Sequence, residues 1–327
     1  MGTPQYHTVR PFSADPKGLP RLMMPDAKLN GVIEGRTFQY QPSDNPKWWV
    51  NGGNLIDYAE DEMLYTINKH GFRGNKITRL DTKTKLMTAG CSFTYGIGVR
   101  DNEVWGEVLA EELDMYHINI GVGGIGCDVV SLLIKQFFEE GIIPDTLAIL
   151  WPNYNRKLLV LDKIKSMTES LDNFLVDPNY KIYPTVYQFS PGVNPVKEER
   201  DKRHEGLDQA IKGLLLQNPL QALLDFWIYR ELVLSLCQTH NVKLVEGFMD
   251  IETLNYVKQN CHKNIPRNAF FSANDISNWG PGHGENQESD PYDWARDNMH
   301  PGSKAHKNIA RKFALKYKES YIPGYIT

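Results

Sequence analysis

Residues 85–99 read "KLMTAGCSFTYGIGV", and the rest of the chain is read from them. Leu86, Met87, Thr88 and Ala89 make an apolar run of the kind that ends a buried strand. The run gives way at once to Gly90, Cys91 and Ser92, with Gly96 and Gly98 close behind. Glycines allow a tight strand-to-helix turn because they accept positive φ. In open α/β sheets, the carboxyl ends of the strands are where ligands are held.

Outward from this stretch the chain alternates between two periodicities. "DNEVWGEVLAEEL" (101–113) places Val104, Trp105, Val108, Leu109 and Leu113 on one helical face. "YHINI" (116–120) is a second strand, and "CDVVSLLIKQFFEE" (127–140) a helix with Gly141 as its stop. "TLAILW" (146–151) is a third strand, apolar as a parallel strand covered on both faces must be. A helical stretch from Leu207 to about His240, broken near Pro219, leads to a fourth strand, "VKLVEGF" (242–248). The helix "IETLNYVKQN" follows, and "GSKAHKNIARKFALKY" closes the chain with Ser303 as candidate N-cap. This order predicts a doubly wound parallel sheet.

Two regions break the alternation. Residues 1–80 are rich in Pro, Asn, Asp and Trp ("QPSDNPKWWVNGGN") and end in "INKHGFRG" (67–74). They read as an accessory arm or small β region, a candidate surface for oligomer formation, in front of an α/β domain over 81–327. Residues 157–205 read as a long Pro- and Tyr-bearing insertion, and a second loop runs from about Ser272 to His300.

The bulk composition excludes several classes. The chain has 327 residues, 41% hydrophobic and 23% charged, with a net charge of −4, so no basic footprint for nucleic acid is expected. Apolar runs such as "LAILW" are far too short to span a bilayer. "MGTPQYHTVRPF" has no signal-peptide core, and Cys91, Cys127, Cys237 and Cys261 lack CxxC spacing. A chain made in the cytosol with reduced thiols is expected.

Four segments carry the chemistry. Ser92, on a glycine turn with its own amide unpaired, suits attack on an acyl carbon; the plainer reading is a turn whose serine caps the next element. "NIGVGGIG" (119–126) satisfies GxGxxG with Gly121, Gly123 and Gly126. A dinucleotide site would need an acidic residue at the next strand's tip. That strand ends "WPNYNR", and Asp145 lies at its other end. Asn153 in "WPNYNR" is a neutral donor suited to an oxyanion, or an ordinary turn residue after Pro152. Asp297 and His300, three apart, form a pair in which a carboxylate can hold an imidazole in one tautomer, or a surface pair at a helix start. His283, His300 and His306 have no metal-ligand spacing.

Taken together these segments resemble the SGNH (GDSL-type) hydrolase family. "GCSFTYGIGV" is similar to its first block, "NIGVGGIG" and "WPNY" to its second and third, and "DNMHPG" to its fifth, DxxH. The resemblance implies a flavodoxin-like three-layer α/β/α sandwich with a central parallel sheet. It implies Ser92 as nucleophile, Asp297 and His300 as its partners, and Gly124 and Asn153 as oxyanion donors. It also implies hydrolysis of acyl esters with no metal or organic cofactor. Cys91 stands in place of the first-block Asp, on the opposite side of an extended backbone from Ser92. Trp151 and Tyr154 replace the third-block Gly and Asp, which makes Asn155 the alternative donor. The aromatic residues Tyr180, Tyr183, Tyr187, Trp279, Tyr292 and Trp294 suggest a sugar-stacking platform, and so a carbohydrate O-acetylesterase. The rival reading is a catalytically impaired structural or glycan-binding protein on the same fold.

Overall fold

The apolar runs pair as five parallel strands: β1 (Lys85–Gly90), β2 (Tyr116–Asn119), β3 (Thr146–Trp151), β4 (Lys243–Phe248) and β5 (Phe270–Ser272). They lie in a computed structural model that describes residues 13–14, 20–21, 36–38, 63–68, 72–74, 84–154, 156–161, 185–189, 219–249, 251–260, 270–272, 293–297 and 300–318. The sheet order is β5-β4-β3-β1-β2. Every pairing is parallel, with Thr88 opposite Asn119, Gly90 opposite Leu150, and Phe248 opposite both Trp151 and Ser272. This is the flavodoxin-like strand order, with its switch point between β1 and β3. All six residues of β3 are buried, as a central strand covered on both faces requires.

Two pairs of helices cover the sheet. α2 (Trp105–Glu112) packs with α6 (Ser303–Tyr317), where Trp105 stacks on Phe313 with ring centroids 4.4 Å apart and planes 8° from parallel. α3 (Cys127–Glu139) packs with α4 (Pro219–His240), and Phe226 of α4 meets Trp151 edge-on at 5.5 Å. α5 (Ile251–Asn260) lies beside α4, through Trp227 and Tyr256. No described helix is long and apolar enough to cross a membrane.

Several local expectations are corrected. β5 falls where no strand was read, because three residues are too few to show a period. Within the irregular insertion, Lys157–Leu161 and Thr185–Phe189 form an antiparallel ladder. Ser303 does not cap α6: Gly302 holds the cap position, and the carboxylate of Asp293 accepts from the Ala305 amide. A Cβ at Gly302 would lie 2.6 Å from Asp293 Oδ1, so only glycine admits this remote cap. Gly141 does end α3, with φ 75°.

Arg36–Phe38 and Tyr65–Ile67 form an antiparallel pair ahead of the sheet. Met63, Tyr65 and Ile67 share a buried cluster with Tyr95, Ile97, Val99, Val104 and Ala295. This part of the N-terminal region is therefore packed against the turn that follows β1.

Candidate active site

The turn after β1 is built by its glycines. Gly90 has φ 153°, and a Cβ there would meet Thr94 Oγ1 at 2.2 Å and Leu150 O at 2.6 Å. The chain then enters α1 (Ser92–Tyr95), a single turn ended by Gly96 in the left-handed conformation. Ser92 is the first residue of that turn, 8% exposed, at the carboxyl edge of the sheet.

Cys91 and Ser92 do not lie on opposite sides of an extended backbone, because the helical turn begins between them. Ser92 Oγ lies 3.9 Å from Cys91 Sγ, toward which it donates. The Cys91 thiol is fully buried and points at Met249 Sδ, 3.2 Å away. It is thereby removed from competition as a nucleophile.

Asp297 and His300 are brought to the same turn. Asp297 Oδ2 lies 2.6 Å from His300 Nδ1, and its Oδ1 accepts from the His300 amide at 3.0 Å. Asp297 is buried, and the His300 side chain is 14% exposed. The segment is docked by a bond from Arg296 N to Gly98 O at 2.9 Å. The His300 ring meets the Phe93 ring edge-on at 5.8 Å, one residue from Ser92. No hydrogen bond joins Ser92 Oγ to His300 here; the hydroxyl is turned toward Cys91.

The loops after β2 and β3 close the other side. Gly121 packs where a Cβ would lie 2.5 Å from Tyr95 N, and Gly126 where one would lie 2.4 Å from Arg156 O. These two glycines serve close packing of the loops, whereas a Cβ at Gly123 would make only an ordinary contact, 3.5 Å from Ile97 Cδ1. Gly124 has φ 77°. Among the described residues, the amides of Ser92 and Gly124 and the side chain of Asn153 find no hydrogen-bond partner. Asn153 O accepts from Arg156 N at 3.1 Å, and Cys127 Sγ donates to Pro152 O at 3.3 Å, which fixes the loop. Asn155 lies outside the described residues, as do Tyr180, Tyr183, Trp279 and Tyr292 of the suggested platform.

Trp151, in place of the expected glycine, has its own support. Its indole N–H donates to Glu246 Oε1 at 2.9 Å, and Arg230 clamps both oxygens of that carboxylate at 2.7–2.8 Å. A buried bidentate pair of this kind offsets its desolvation only when every lone pair finds a partner, and the indole supplies one. The tryptophan is thus tied into a buried ion pair.

Two further groups, assigned no role from the sequence, are buried among these segments. His306 on α6 is fully buried, and its Nδ1 accepts from Trp105 N at 3.1 Å. Burial, helped by the positive charge of Arg73 and by His300, holds its pKa down to about 3. Arg73, buried inside the N-terminal region, donates to three carbonyls of the turn. Among the described residues no group of three or more His, Cys, Asp or Glu is placed to hold a metal ion.

No protein-family model matches the chain, and no curated protein sequence matches it. Solved structures do. One, assigned to the G-D-S-L lipolytic family, is from Desulfitobacterium hafniense DCB-2, at 12% identity over 71% of this chain and 99% of the other, with a TM-score of 0.40. Another is an acetyl xylan esterase from the rumen bacterium Butyrivibrio proteoclasticus, at 15% identity over 71% of this chain and 62% of the other, with a TM-score of 0.32. A third is a carbohydrate esterase family 2 enzyme with a carbohydrate-binding domain from Corynascus thermopiles (Myceliophthora fergusii). It stands at 11% identity over 78% and 70%, with a TM-score of 0.34. At such identities and scores, the site's own geometry has to carry the functional argument.

Proposed function

We propose that the protein is a serine carboxylic-ester hydrolase of the SGNH type. The observation that carries this reading is the Asp297–His300 pair, bonded at 2.6 Å and docked against the turn that Ser92 begins. A serine hydroxyl is too weakly acidic to ionise at neutral pH and needs an adjacent base.

In this mechanism His300 Nδ1–H donates to Asp297, which leaves Nε2 free to take the Ser92 proton. Ser92 Oγ attacks the ester carbonyl, and the C=O electron pair moves onto oxygen. The Ser92 and Gly124 amides and the Asn153 side chain donate to that oxyanion. All three are unengaged among the described residues, as preorganised donors should be. Collapse of the intermediate expels the alcohol, which takes its proton from His300. Water, activated by the same imidazole, then releases the acid. The Ser92–His300 contact forms with substrate in place, since catalytic hydrogen bonds often tighten only in the Michaelis complex.

The substrate proposed is an O-acetylated carbohydrate. Its support lies in the aromatic residues of the sequence between 180 and 294, suited to stacking on sugar rings. The orientation of the Ser92 hydroxyl toward Cys91 favours the second reading, an impaired protein that binds glycans. A fluorophosphonate probe separates the two. Stoichiometric adduct on Ser92, lost in Ser92→Ala, is expected; adduct on another residue, or none, overturns the esterase.

A further inference from the structure

The turn that carries Ser92 is gripped from the N-terminal region. Arg73 is buried, yet its guanidinium is engaged along its whole fork. Nη1 donates to the carbonyls of Tyr95 (3.4 Å) and Gly96, and Nη2 donates to Val99 O at 2.6 Å. Nε pairs with Asp101 at 2.6 Å, and the Tyr65 ring covers the cation at 4.3 Å. From the paired strand, the Tyr65 hydroxyl accepts from Gly98 N at 2.8 Å. The last carbonyls of a one-turn helix have no intrahelical donors; here Asn119 Nδ2 donates to Thr94 O at 3.0 Å, and Arg73 serves Tyr95 O and the two carbonyls of the turn beyond it, Gly96 O and Val99 O.

The opposite side of the same turn holds the base. Gly98 O accepts from Arg296 N, and a Cβ at Gly98 would lie 2.7 Å from Ala295 Cβ. Ala295 N in turn donates to His300 O at 2.9 Å. The turn 96–99 is thus clamped between Tyr65 and Arg73 on one side and the segment 295–300 on the other.

We propose that Arg73, assisted by Tyr65, is a positioning residue that sets the register of Ser92 against the Asp297–His300 pair. The proposal rests on the esterase reading for its effect on turnover but not for its effect on the turn. Lysine cannot replace arginine here, because an ammonium is a point donor and cannot span three carbonyls and a carboxylate.

The test compares Arg73→Lys and Tyr65→Phe with the wild-type full chain, by amide hydrogen exchange and by p-nitrophenyl acetate kinetics. In Arg73→Lys, exchange at the Arg296 amide should rise at least about 10-fold, while that of β3 amides stays at the wild-type rate. With turnover present, kcat should fall by about 10–100-fold with KM within about 2-fold, the mark of lost positioning rather than lost binding. Added guanidinium should restore part of kcat in Arg73→Ala but not in wild type. Tyr65→Phe, which keeps the ring, should show the same pattern at smaller size and serves if Arg73→Lys does not fold. Equal acceleration of exchange in β3 and at Arg296, or wild-type exchange at Arg296 in both variants, overturns the proposal. A wild type without turnover sinks the esterase, while the exchange result still decides the role of Arg73.

Discussion

Among the described residues, two hydroxyl–imidazole–carboxylate sets can be compared, and they differ in how far their bonds are complete and in where they stand. In the first, Thr88 Oγ1 lies 2.8 Å from His117 Nε2, and His117 Nδ1 lies 2.8 Å from Glu107 Oε2. The bond to His117 holds the Glu107 carboxyl below its usual range. Every contact a triad needs is made. Thr88 nevertheless sits mid-strand with no exposed surface, and a Cβ on Gly106 would lie 2.4 Å from His117 Nε2. In the second set, Asp297 and His300 are bonded but the Ser92 hydroxyl is turned away. That set stands at the carboxyl edge of the sheet, where β1 gives way to the turn that Ser92 begins. Complete hydrogen bonding thus distinguishes the Thr88 set, and a carboxyl-edge position with the hydroxyl not yet bonded to its imidazole distinguishes the Ser92 set, the reactive one under the proposed function.

The sharpest way to break this contrast is Ser92→Ala. It should lower kcat on p-nitrophenyl acetate by about 10⁶-fold, as loss of a serine nucleophile does elsewhere. Asp297→Asn should cost about 10⁴-fold by permitting the wrong tautomer of His300, with circular dichroism unchanged. If Glu107→Gln matches that loss in the same assay, the two sets have been assigned the wrong way round.

A third histidine gives a pH signature. His306 titrates near 6.5 when unfolded and at about 3 when folded. Between those values the unfolded chain binds a proton that the folded chain does not. Stability is therefore full above pH 6.5 and falls as the pH drops toward 3, by about 5 kcal/mol across the window. Urea unfolding of His306→Asn, whose side-chain oxygen can still accept from Trp105 N, should show this slope flattened.

Smaller effects sharpen the picture. Asn153→Ala should lower kcat by about 10²–10³-fold, the usual cost of one oxyanion donor. A wild-type rate would move the role to Asn155. Thr88→Val should leave kcat within about twofold while costing about 1–3 kcal/mol in urea unfolding, because His117 Nε2 loses a buried partner.

Much of the frame was legible along the chain. β1 to β4 are runs of apolar residues long enough to show a period, and Asp297 and His300 stand close enough in sequence to be read as a pair. β5 is too short to show a period, and its place beside β4 depends on a parallel crossover. Arg73 and Tyr65 went unread because their partners lie 22–33 residues away and are mostly backbone atoms, which leave no side-chain signature. The cap of α6 was read locally as Ser303, whereas Asp293 reaches it across a loop.

By itself, then, the amino-acid order determined the strand–helix alternation and singled out Ser92, Asp297 and His300 as candidates. Those depend on spacing and on local backbone preference, both written in neighbouring residues. Only the tertiary structure decided which imidazole meets which hydroxyl, why Trp151 is tolerated, and what holds the Ser92 turn. Such contacts join segments up to about two hundred residues apart, as between Trp105 and His306, and they exist only once the sheet has set its strand order. Burial then turns the same chemical groups into a support or a reagent.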